Sequence, residues 1–139
     1  MTLFEECILA LDGHAFKMNV EKTQELFIEM NTKFPMTQWG RIEWNITSNK
    51  LVGIEERDIL IKLAEVCLDV NNEVYILWDN ANLPAIKSDL AKVLDVIDDI
   101  VSVSFDTWIF CPESNYVIEF YHEDVGKVSI GWMYSLMLK

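Results

Sequence analysis

The run SFDTWIFCP, residues 104–112, sets one carboxylate, Asp106, in a strand-like stretch of aromatic and branched residues. A few residues on, YVIEFYHED supplies Glu119, His122, Glu123 and Asp124. Asp106, Glu119 and His122 on neighbouring strands could act as acid and base in a hydrolysis. Asp106, His122, Glu123 and Asp124 are also ligand types for a metal ion. Neither chemistry has a motif behind it. There is no HExxH, no EF-hand loop and no paired Cys/His spacing. Asp79-Asn80-Ala81-Asn82 has the beginning of a calcium loop but lacks its glycine and its distal bidentate acid. A metal-dependent nuclease would want a lysine after the second acid, and Phe120 and Tyr121 follow Glu119 instead. No GxSxG elbow or glycine-rich phosphate loop appears. Asp106 therefore reads as a partner contact or a solvated strand residue before it reads as a catalytic acid.

Trp108 stands two positions after Asp106 and shares its face of a strand. An acid beside an aromatic suits a guanidinium, which can ion-pair with one and stack on the other. Whether Glu119 joins them is open, because a bulge between Cys111 and Asn115 would reverse which residues share a face. His14, after a glycine in a loop, is expected to be solvated, and His122 to satisfy itself against a turn. Of Trp39, Trp44, Trp78, Trp108 and Trp132, most are expected in the core, although tryptophan is also a common interface anchor.

Helices and strands must position these groups. Phe4, Cys7, Ile8 and Leu11 recur at helical spacing up to Gly13. Asn19 can cap a second helix, with Leu26, Phe27 and Met30 inward, that Phe34 and Pro35 stop. TQWGRIEWNI suggests a first strand through Trp39, Ile42, Trp44 and Ile46, interrupted by Gly40. SNKLVGIEERD is the most loop-like part, and Glu55 and Glu56 put negative charge where a third helix begins. Ile59, Leu60, Leu63, Val66 and Cys67 form the buried face of that helix. After Asn71 and Asn72, VYILW reads as a central strand covered on both faces. A long helix is expected from Leu83-Pro84, with Ile86, Leu90, Val93, Leu94, Ile97 and Ile100 on one stripe. It would hold Asp98 and Asp99 near its C-terminus, where the dipole disfavours acids. Strands at 101–110, 116–122 and 127–133 then close the chain through short connections that imply antiparallel hairpins. The fold class is α+β (mixed α/β), with helices packed on a four- to five-stranded, largely antiparallel sheet that ends in a β-meander. A chain of 139 residues is read as a single domain, 1–139.

Charge narrows the partners. Against 11 basic side chains stand 23 acidic ones, a net charge of −12, which repels nucleic-acid backbones and anionic membrane surfaces. The same field would steer a basic protein inward. Three cysteines, Cys7, Cys67 and Cys111, lack metal-ligand spacing and read as reduced thiols in a cytoplasmic protein. No secretory signal and no bilayer-spanning apolar run is present. No cofactor is expected.

The segment SFDTWIFCPESNYVIEFYHEDVGKVSIGW, with MTLFEECILAL and VYILWDNANLPAIKSDL, resembles the small bacterial immunity proteins of contact-dependent growth inhibition systems. Together these segments cover most of the chain. It departs from that pattern after His122, where a glycine is expected sooner than Gly126, so the last hairpin is expected to be longer here. The resemblance implies a protein that binds the C-terminal domain of a cognate toxin, often a nuclease with a basic cleft, and makes no bond itself. On that view the contacts are Asp79, Asp95, Asp98, Asp99, Asp106, Glu119, Glu123 and Asp124, with Trp108, Tyr121 and His122 as anchors. An adaptor domain using the same acidic face on another basic protein, and a small metal-dependent hydrolase, remain as alternatives.

Overall fold

A computed structural model describes residues 1–66 and 72–133. Thr2 opens helix α1, Leu3–Ala10, by accepting from the N–H of Glu5 while Glu5 reaches back to the N–H of Thr2. The two-residue strand β1, Phe16–Lys17, leads to α2, Val20–Lys33, which Asn19 caps through the Lys22 N–H. Strand β2, Lys50–Glu55, and helix α3, Ile59–Val66, follow. Then come β3, Glu73–Trp78, β4, Ile86–Asp89, and two short helices, α4, Leu90–Asp95, and α5, Ile97–Val101. The closing meander is β5, Thr107–Cys111, β6, Tyr116–Phe120, and β7, Lys127–Trp132.

The sheet has seven strands, in the order β1-β4-β3-β5-β6-β7-β2, and every pairing is antiparallel. The α+β class and the closing meander hold, but the sheet is wider than four or five strands. VYILW is, as expected, an interior strand buried from both sides. Strand alternation splits the interior in two. Val74, Ile76, Trp78, Ile109, Ile118 and Ile130 face α1, α3, α4 and α5, whereas Leu77, Trp108, Phe110 and Val117 face α2 and the segment that follows it.

Several expectations fail for identifiable reasons. TQWGRIEWNI is no strand: Gly40, at φ +84°, turns the chain back, one bridge joins Met36 to Ile42, and Trp44–Ile46 forms a single 3-10 turn. Trp39 and Ile46 are exposed as a result. The segment read as most loop-like contains β2, an edge strand whose polar and glycine content suits exposure on one side; a bulge falls between Leu51 and Ile54. Helix formation does not begin at Pro84. Residues 86–89 pair with β3, and Asp89 caps α4 through the Lys92 N–H. The helix then breaks at Val96, so Asp98 and Asp99 occupy the first turn of α5, where the dipole favours them. The expected cost of acids at a helix C-terminus does not arise. Residues 101–106 are not strand, and β5 starts only at Thr107. In α3, Ile59 and Leu63 are buried but Leu60 is exposed, and Cys67 and Asn71 lie outside the described residues. Cys7 and Cys111 are buried free thiols, and desolvation with nearby Asp99 pushes the Cys7 thiol up to about 12. No described helix is long and apolar enough to cross a membrane.

Candidate functional site

The hairpin β5–β6 pairs Trp108 with Glu119 and Cys111 with Tyr116, without a bulge. Asp106, Trp108, Glu119 and Tyr121 therefore share the face of the sheet that α2 covers. A row of side chains, Leu77, Trp108, Glu119 and Ser129, crosses that face from strand to strand.

Glu119 is 1% exposed, and both its oxygens are taken. Oε1 accepts from Arg41 Nη2 at 3.0 Å and Trp44 Nε1 at 2.9 Å. Oε2 accepts from the backbone N–H of Ile42 at 2.7 Å and from Trp108 Nε1 at 3.1 Å. Four donors match the roughly four lone-pair sites of a carboxylate, so no acceptor site is left for a substrate, a metal or a partner. Glu119 and Trp108, expected as partner contacts, are both buried, and their polar atoms bond to each other. That bonding also removes Glu119 from any acid–base pair.

Arg41 links this centre to the surface. Its Nη2 also donates to Asp124 at 2.9 Å, and its guanidinium carbon lies 4.2 Å from the centre of the Tyr121 ring. Burial alone would lower the pKa of Arg41, but Glu119 and Asp124 more than offset that and hold it above the ordinary value. Desolvation, aided by Glu123, raises that of Tyr121.

Asp106 is 6% exposed and not solvated. Its Oδ1 accepts from both the backbone N–H and Nδ1 of His122, each at 2.8 Å. Those bonds tie the end of β6 to the segment before β5: the imidazole is satisfied by the Asp106 carboxylate and not, as expected, against a turn, and the side-chain bond raises the pKa of His122. On the other side, Asp79 Oδ1 accepts from Ser104 Oγ at 2.6 Å and from the Asp106 N–H at 3.2 Å. The Phe105 and Tyr121 rings flank His122, with centroids 5.8 and 4.4 Å away. Among the described residues no three His, Cys, Asp or Glu side chains converge as metal ligands do.

The expected contact residues thus divide into two groups. Asp79, Asp106, Tyr121, His122, Glu123 and Asp124 gather at the ends of β3, β5 and β6. Asp95, Asp98 and Asp99 are exposed on α4 and α5, beyond the opposite face. His14 is exposed, as expected. Sequence reasoning missed Arg41, the cation that joins Glu119 to Asp124 and Tyr121. A single arginine within the aromatic run TQWGRIEWNI was the available signal. It also missed the exposure of Trp39 and Phe105, at 76% and 79%.

Residues 1–131 match the model of a protein family described as CdiI immunity protein EcoliA0-like. No curated protein matches the chain.

Proposed function

The chain belongs to the CdiI immunity protein family, and from that premise we propose that the toxin domain it neutralises is a basic nuclease whose cleft it occludes with an acidic surface. Charge carries the reading: 23 acids stand against 11 bases. Among the described residues Asp79, Asp95, Asp98 and Asp99 are exposed and form no ion pair with a basic side chain. A nuclease must hold phosphates and so presents Lys and Arg, which such a surface complements. Inhibition then requires occupancy alone, in the cytoplasm where the toxin reaches its substrate. Glu123 and Asp124 extend the surface beside His122 and Tyr121.

The test is co-purification with the toxin domain encoded beside this chain. A one-to-one complex with loss of nuclease activity is the expected result. A bound toxin domain that is acidic, or that cuts no nucleic acid, would overturn the nuclease reading. Binding instead to an unrelated basic protein would favour an adaptor.

A further inference from the structure

A cleft of about 450 Å³ opens between α2 and the loop after β3, within the range of about 300–1,000 Å³ usual for ligand sites. Phe27, Met36, Leu83, Trp78 and Trp108 make most of its lining apolar, and α2 adds polar side chains to one wall. Phe27 is only half-buried and packs edge-on against Trp108, with ring centroids 6.4 Å apart. One charged side chain, Asp79, is on the lining.

We infer that this cleft receives an arginine or lysine side chain of the toxin domain, with the cation on Asp79 and the methylene stem along Phe27 and Leu83. The inference rests on the immunity reading and names the contact through which it works. The long stem of a basic residue matches apolar walls, and a guanidinium can stack on an aromatic ring while pairing with a carboxylate. An apolar side chain would strip water from Asp79 and leave its charge unpaired, at a cost that a cation removes. An anion would be repelled. Asp79 is also held in advance: its Oδ1 takes Ser104 Oγ and the Asp106 N–H, and its own N–H donates to the Asp106 carbonyl at 3.2 Å. Among the described residues Oδ2 has no partner. A carboxylate fixed before binding loses little freedom on binding.

The experiment uses the whole chain and the toxin domain encoded beside it. Asp79→Asn keeps the acceptor for Ser104 and Asp106 but removes the charge, and Glu6→Gln, on the exposed side of α1 across the sheet, removes the same charge elsewhere. Asp79→Asn is expected to weaken the complex about 10-fold or more, mainly through faster dissociation, and Glu6→Gln to change it less than about 2-fold. In parallel, N-acetyl-arginine methylamide is titrated into the free chain while the indole N–H signal of Trp108, which packs on Phe27, is followed by NMR. It is expected to shift, and not to shift with the neutral citrulline analogue or in Asp79→Asn. If the wild-type chain binds its toxin and Asp79→Asn binds equally well, the cleft assignment is wrong while the immunity reading stands. If the wild-type chain fails to bind the toxin at all, both fall.

Discussion

Glu119 and Trp108 lie directly opposite each other on β6 and β5, and the indole N–H of one donates to the carboxylate of the other in the interior of the sheet. The carboxylate that chemistry-first reading would choose as an acid or a contact is therefore a structural hub, which ties the segment after α2 to the meander through Arg41, Ile42 and Trp44.

Glu119→Gln tests that role. The amide presents an N–H₂ where two N–H donors already point, and it leaves Arg41 with Asp124 as its one carboxylate. Removing one partner from a buried pair is costly, so the variant is expected to lose on the order of 3 kcal/mol of stability in urea unfolding. A loss below about 1 kcal/mol would show that the hub is dispensable.

The meeting of His122 with Asp106 makes the end of the sheet sensitive to pH. Its folded pKa lies above the ordinary 6.5 because Asp106 accepts from Nδ1. The contribution of this pair to stability is thus complete below about 6.5 and is lost as pH rises through the higher folded value. In Asp106→Asn the His122 ring should titrate closer to 6.5, as followed by its carbon-bound proton signals. The stability gap between the two proteins should also narrow as pH rises. An unchanged titration would mean that the carboxylate does not hold the imidazole in solution.

Gly131 on β7 marks a close approach. A Cβ there would stand 3.0 Å from Trp44 and 3.2 Å from Phe34, both rings that are themselves buried. Gly131→Ala is expected to cost about 1–3 kcal/mol by overpacking. The expected thermal scan shows a lower midpoint with an unchanged fold by circular dichroism; an unchanged midpoint would show that the two rings move aside freely.

Local patterns made much of this fold readable. The Asn19 cap, the apolar VYILW and the two closing hairpins each follow from residues within a few positions of one another, and the structure has all of them. What escaped depends on distant partners. Trp39, Ile42, Trp44 and Ile46 alternate as a strand would, yet Arg41, Ile42 and Trp44 are drawn to Glu119, 75 to 78 residues away in sequence. Ile86 to Asp89 continues a helical stripe by spacing alone, but the open edge of β3 takes it as a strand. For the site, residue types identified the acids, while burial decided which of them face outward. Sequence shows no difference between Asp106, closed over by His122, and Asp98, open to solvent.

Asp98 and Asp99 are exposed, with Asp95, away from the ends of β3, β5 and β6. They occupy the first turn of α5, and Asp98 lies near enough to Glu56 to add to the burial that raises the pKa of that carboxyl. Acids left exposed without cationic partners act at a distance more than at contact, so their effect should fall on encounter with the toxin and not on the lifetime of the complex. Reversing both to lysine changes the net charge from −12 to −8, four units toward neutrality. The association rate measured by stopped flow is expected to drop several-fold, on the order of 3- to 10-fold at low salt, with the difference fading as salt screens the field. Dissociation should barely change. An association rate equal to wild type at low salt would remove this helix end from the path of approach and leave recognition to the ends of β3, β5 and β6.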